Sequence, residues 1–96
     1  MSAPDDDEEP EAAAEITLPG GNFRLFVTRL SFQGMLALGI LENPLTRTRQ
    51  KNPGQARMVI DDLVMLREKT AGHLEEEEAA HLDKVIEDLS HAYARL

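Results

Sequence analysis

The chain has 96 residues and a formal net charge of −8, and most of that charge lies at its N-terminal end. Residues 1–20 hold seven acidic residues and no Lys or Arg, whereas the other 76 hold eleven acidic and ten basic residues, a net charge of about −1. A nearly neutral domain lacks the electrostatic footprint of a nucleic-acid-binding protein. The absence of cysteine excludes a disulfide framework, a thiolate metal site and a thiol nucleophile.

Residues 1–21 are predicted to form a disordered acidic tail. A run of like charges with Pro and Ala buries too little apolar surface to offset the entropy of the chain. The segment also lacks the basic start and apolar run of a signal peptide, which favours a cytoplasmic protein. The sequence "LPGGN" at residues 18–22 then interrupts the chain, and Asn22 is a good N-cap for a helix.

The first helix is predicted over about residues 22–41 and is apolar on two opposite sides. At about 100° per residue, one side gathers the residues suited to a subunit core, which are Phe23, Phe26, Val27, Leu30, Gly34, Ala37, Leu38 and Leu41. The opposite side forms a seam made of Leu25, Arg29, Phe32, Met35 and Leu36. Polar and charged side chains inside this stretch, such as Arg24 and Gln33, make a membrane span too costly.

Two further helices of ordinary length can cover only one side of the first helix, and a domain this small is already short of core. We therefore expect a symmetric helical homodimer in which the seam packs against its twin across a two-fold axis. The alternatives are a groove for a different protein, and burial of the seam by the tail or by a swapped helix.

The second and third helices are predicted over about residues 53–71 and 75–95. Asn52 can cap the second helix, with Pro53 at its first position and Gln55 completing a capping box. The third helix opens with four glutamates at 75–78, which suit the positive end of the helix dipole. No strand-like alternation appears in the sequence, so the fold class is all-α, with a three-helix domain over residues 22–96.

The chain offers two candidate sites besides the seam, and both are weak. The residues Arg47, Arg49, Lys51 and Arg57 surround the start of the second helix and form a candidate contact for an anion or a partner. They could equally be the solvated side chains of a turn. Glu78 and His81 have the Glu-x-x-His spacing of di-metal bundles, but the chain contains only one such pair. We predict no metal, no cofactor and, because no catalytic residues converge, no enzymatic activity.

From Leu38 onward the sequence resembles a family of short bacterial proteins that is catalogued only as a domain of unknown function. The resemblance is carried by "LGILENPLTR", by "AxxxIDxLxMLxEKTxGxL" from Ala56 to Leu74, and by "EEExxxLxxVIxDLxxxY" ending at Tyr93. It covers about residues 23–95, and "LREKTAG" at 66–72 is its most specific part. The chain departs from the family pattern at His73, where Asn is common, and at Glu75, where Thr or Ser is common. The resemblance implies three helices and a bacterial cytoplasmic setting, and it implies no activity.

These observations together predict a small, non-catalytic helical interaction module that associates with itself through the first helix and binds another protein. The first alternative is an anion or nucleotide sensor that uses the basic 47–57 segment. The second alternative is a dimeric metal site built from Glu78 and His81 of two subunits. We expect neither a membrane nor a nucleic acid as a partner.

Overall fold

The computed structural model describes residues 20–96 and confirms the all-α, three-helix domain. The helices are α1 (Phe23–Ala37), α2 (Pro53–Lys69) and α3 (Glu76–Ala94). Within residues 20–96 the chain forms no β-strand, only an isolated antiparallel bridge between Asn43 and Thr48. The predicted disordered tail lies outside the described residues, except for Gly20 and Gly21.

Both α2 and α3 begin and end within two residues of their predicted bounds, but the predicted end of the first helix at residue 41 is wrong. The helix ends at Ala37, because Gly39 adopts a φ of 78° just beyond the cap residue Leu38. The N–H of Gly39 then donates to Leu36 O at 3.1 Å, and the N–H of Ile40 donates to Met35 O at 3.1 Å. This pair of bonds is a Schellman motif, which closes a helix wherever glycine supplies the left-handed residue.

The loop at 38–52 folds back onto the end of α1 and is held by its own hydrogen bonds. Asn43 N–H donates to Thr48 O at 2.8 Å, and Arg47, with a φ of 59°, donates its N–H to Asn43 O at 2.7 Å. Asn52 N–H reaches Ala37 O at 2.7 Å and so satisfies a carbonyl at the end of the helix. The loop is therefore a defined structure fixed beside the last turn of α1.

The start of α2 shows one half of the predicted capping box. Asn52 Oδ1 accepts a hydrogen bond from Gln55 N–H at 3.1 Å, as an N-cap should. The reciprocal bond is missing, because the N–H of Asn52 is already bonded to Ala37 O. The Gln55 side chain instead accepts from Asn52 Nδ2 at 3.4 Å. At the start of α3, Glu75 N–H donates to Glu78 Oε1 at 2.9 Å.

The core lies between the three helices, each of which packs against the other two. Its buried apolar residues are Val27, Ala37, Leu38, Ala56, Val59, Ile60, Leu63, Leu82, Val85, Ile86 and Leu89. Gly34 allows α1 to approach its neighbours closely. A Cβ atom at Gly34 would lie 2.9 Å from Leu89 Cδ1 and 3.4 Å from Val59 Cγ1. The side of α1 that carries Gly34 and Val27 therefore faces the core, and its opposite side faces outward.

Candidate interaction surface

The outward face of α1, which we define as Leu25, Arg29, Phe32 and Leu36, lies opposite its core residues. Phe32 is 46% exposed, Arg29 is exposed, and both leucines are half-buried. These positions recur at intervals of four and three residues, so they share one stripe of the helix. The buried residues Val27 and Gly34 lie about half a turn away from that stripe. Neither α2 nor α3 covers this face completely.

Two residues near this face do not lie where the sequence predicted. Met35, a predicted seam residue, is half-buried and packs against the core cluster. Phe26, predicted on the core side, is 39% exposed. The Arg29 guanidinium lies 6.0 Å from the centroid of the Phe26 ring, which is within the range of a cation–π contact. Phe26 therefore extends the exposed apolar surface, and only its position at the border between the two sides of the helical wheel could have indicated this.

Two depressions lie at the ends of the outward face. At the N-terminal end, a shallow hollow is lined by Gly21, Asn22, Phe23, Phe26 and Arg29. At the C-terminal end, a cleft of about 200 Å³ separates α1 from the loop and the start of α2. Its lining includes Gln33 and Leu36 from α1 and Thr48 and Gln50 from the loop. The loop therefore lies beside the outward face and forms a border of it.

The four predicted anion-contact residues differ in their charge partners. Arg47, Arg49 and Lys51 are exposed on the loop, and none of them pairs with a carboxylate among residues 20–96. Arg57 instead donates from Nε to Asp61 Oδ1 at 3.1 Å. This hydrogen bond and the charge of Asp61 raise the pKa of Arg57 above its usual value. Arg57 therefore has a local charge partner, and the three basic residues of the loop have none among residues 20–96.

Charge is divided unevenly between the two halves of the described chain. Residues 20–52 hold five basic residues and one acidic residue, a net charge of +4. Residues 53–96 hold five basic and ten acidic residues, a net charge of −5. The three ion pairs seen among residues 20–96 all lie in α2 and α3. The near-neutrality of the domain therefore conceals a basic half of the described chain, made of α1 and the loop, and an acidic half, made of α2 and α3.

The weak metal candidates, Glu78 and His81, lie three residues apart near the start of α3. The Glu78 carboxylate accepts a hydrogen bond at the start of α3, from the N–H of Glu75. The His81 ring is half-buried, and its Nδ1 atom is buried with no hydrogen-bond partner. It lies beside α1 in a depression shared with Arg24 and Thr28. No group of three or more His, Asp or Glu side chains within the described part of the chain is placed to hold a metal ion.

Sequence comparison relates this chain to a protein family. The family model described as "Domain of unknown function (DUF1844)" matches residues 21–95, which is almost the whole described part of the chain. No curated protein and no solved structure matches the sequence. None of the helices within residues 20–96 has the length and apolar character needed to cross a bilayer.

Proposed function

This chain belongs to the DUF1844 family, and we propose that it is a non-catalytic interaction module that forms a homodimer through the outward face of α1. Another protein is then bound by the assembled dimer, in a bacterial cytoplasmic setting. The observation that carries the proposal is the exposure of two phenylalanine side chains, Phe26 and Phe32, along one helix of a three-helix domain.

Aromatic side chains in this position favour a protein partner over open solvent. Phenylalanine supplies a large apolar area at a small cost in conformational entropy, and aromatic residues are enriched in the cores of protein interfaces. The half-buried Leu25 and Leu36 extend the apolar strip along the helix, and Arg29 lies at its centre. A two-fold axis across this face would bring two such strips together, with the same residues on each side.

The exposed fraction of Phe32 sets the size of the expected effect. Full burial of a phenylalanine side chain contributes roughly 1.5–3 kcal/mol of free energy. Because 46% of Phe32 is still exposed in the domain, its burial in a dimer can contribute about 1 kcal/mol per copy. Two copies contribute about 2 kcal/mol, which corresponds to about a 30-fold change in the dimer Kd. Phe32→Ala should weaken the dimer by that factor, and Phe32→Asp by more, because it would bury a charge.

The test is sedimentation equilibrium on the wild type, Phe32→Asp and the matched control Met65→Asp. Met65 has the same exposed fraction, 46%, but lies on α2. We expect a concentration-dependent dimer for the wild type and the control, and a monomer for Phe32→Asp with an unchanged helical circular dichroism spectrum. A wild type that stays monomeric at tens of micromolar, or a Met65→Asp chain that dissociates while Phe32→Asp does not, would refute the proposal.

The second candidate function is an anion or nucleotide sensor, now restricted to the basic loop. It is supported by the three exposed bases of the loop, Arg47, Arg49 and Lys51, which lack a carboxylate partner among residues 20–96. A sensor would gain thermal stability with millimolar phosphate, since a ligand that binds only the folded state stabilises it. Arg49→Ala would remove that gain, whereas Arg57→Ala would keep it.

A further inference from the structure

We propose that the acidic N-terminal segment, residues 5–18, docks on the outward face of α1 and on the basic loop of its own chain, and so competes with a second copy for that face. This inference rests on the proposed self-association and adds its regulation. A docked segment would cover the face, so a dimer could form only after the segment is released.

The charge of the domain selects this occupant. Residues 1–19 carry seven acidic residues and no basic residue, a net charge of −7. Residues 20–52, which form α1 and the loop, have a net charge of +4, and none of their five basic side chains pairs with a carboxylate within residues 20–96. A second copy would bring an α1 and a loop of the same net charge to the face, whereas the segment brings the opposite charge. Complementary charge favours the segment, and like charge disfavours the copy.

The length and the attachment point of the segment fit the same surface. The segment joins the domain at Gly20 and Gly21, and Gly21 lines the hollow that contains Phe26 and Arg29. From there α1 runs for about 22 Å to the loop, at 1.5 Å per residue over its 15 residues. Residues 5–19 span at most about 50 Å when extended. The segment is therefore long enough to run the length of the outward face and end at the loop.

The order of residues in the segment also matches the order of features on the surface. Ile16 and Leu18, the apolar residues nearest the attachment point, are close enough in sequence to reach the hollow beside Phe26. Glu15 follows within reach of Arg29. The acidic run at residues 5–11 is nine or more residues from Gly20, which is enough to reach the loop with Arg47, Arg49 and Lys51. Apolar residues thus face the apolar end of the surface, and acidic residues face its basic end.

Attachment in the same chain gives the segment a concentration advantage over a second copy. A short flexible tether holds a ligand at an effective concentration on the order of millimolar, whereas a second copy must bind from micromolar solution. Both copies must release their segments before the two faces can meet, so the apparent Kd of the dimer rises as the inverse square of the undocked fraction. A segment that is docked in about two thirds of the molecules therefore weakens the dimer about tenfold.

Docking can be measured without reference to the dimer. The chain has no cysteine, so Glu8→Cys provides a single attachment site for a nitroxide spin label on the full-length protein. We expect paramagnetic broadening of amide signals in the loop and in the C-terminal half of α1, much weaker broadening at Lys69, which lies about 25 Å along α2 from the loop, and loss of the effect in 0.5 M NaCl. Broadening that is equal on all three helices would overturn docking in the same chain. The same holds if a spin-labelled chain broadens the signals of a second, isotope-labelled chain that carries no spin label, and its own signals are not broadened.

Competition is tested with two full-length variants that lose the same number of charges. In the first, five acidic residues of the segment are replaced by the corresponding amides: Asp5, Asp6, Asp7, Glu8 and Glu9. In the matched control, five exposed acidic residues of α2 and α3 are replaced in the same way: Asp62, Glu68, Glu76, Glu77 and Glu87. We expect the first variant to dimerise about tenfold more tightly than the wild type, and the control to change much less.

The outcomes of the two experiments distinguish failure of the proposed dimer from failure of the docked segment. Specific broadening by the spin label in a chain that never dimerises would overturn the proposed function and keep the docked segment. A Phe32-dependent dimer with no specific broadening would keep the proposed function and overturn the docked segment. Equal tightening by both charge variants would show that general repulsion between acidic chains, and not competition by the segment, controls the dimer.

Discussion

Gly34→Ala tests whether close packing or helix propensity decides the stability of this domain. Glycine in the interior of a helix is about 1 kcal/mol less favourable than alanine, so the substitution should stabilise α1 considered alone. A Cβ at Gly34, however, would lie 2.9 and 3.2 Å from the two methyl groups of Leu89. Leu89 is buried in the core, so both methyl groups cannot move away together at low cost. Overpacking of this kind costs about 1–3 kcal/mol. We therefore expect a net loss of about 1 kcal/mol, or a fall in Tm of about 4–8 °C for a domain of this size.

A double-mutant cycle separates the two effects through their signs. Leu89→Ala removes the opposing methyl groups and should itself cost about 2–5 kcal/mol. In that background Gly34→Ala no longer meets an obstacle, and it should raise the free energy of unfolding by up to about 1 kcal/mol. Urea denaturation followed by circular dichroism measures all four chains. A Gly34→Ala effect of the same sign and size in both backgrounds would refute the close approach of α1 to α3.

Substitutions at three further positions test other parts of the fold by the same measurement. Leu63→Ala leaves a cavity at a side chain with no exposed surface and should cost about 2–5 kcal/mol, so a loss under 1 kcal/mol would contradict its place in the core. Gly39→Ala should cost about 1–2 kcal/mol, because alanine is disfavoured at a φ of 78° and its Cβ would lie 2.9 Å from Lys51 Cγ. Asn52→Ala should cost about 1 kcal/mol through loss of the cap on Gln55 N–H, whereas Asn52→Asp should retain most of the stability.

The starts of the helices were predictable because their signals are local. Asn22 accepts a hydrogen bond from Leu25 N–H at 3.0 Å, and Asn52 accepts one from Gln55 N–H. Each bond joins residues three apart in sequence, so the composition of a short segment is enough to specify it. The core stripe of α3 is also set by a local pattern, since Leu82, Ile86 and Leu89 recur at helical spacing. All three are buried, as that pattern predicts.

The end of α1 was predicted wrongly because two local signals disagreed. The apolar pattern of residues 38–41 favours continuation of the helix, whereas Gly39 favours its end. The left-handed residue is stabilised by two hydrogen bonds to carbonyls of the last turn, and the loop supplies a third bond from Asn52 to Ala37 O. That third bond joins residues 15 apart, and no helical periodicity reports such a contact.

The sequence alone determined that the chain is all-α, where each helix starts and which stripe of each helix is apolar, because caps and periodicity act over three to seven residues. Only the tertiary structure decided that Phe26 is exposed, that Met35 packs on the core and that the loop borders the outward face of α1. These outcomes depend on how far α2 and α3 extend around α1 and on how the loop folds back onto it. They are set by packing between segments distant in sequence, so they follow from the assembled core and not from any one helix.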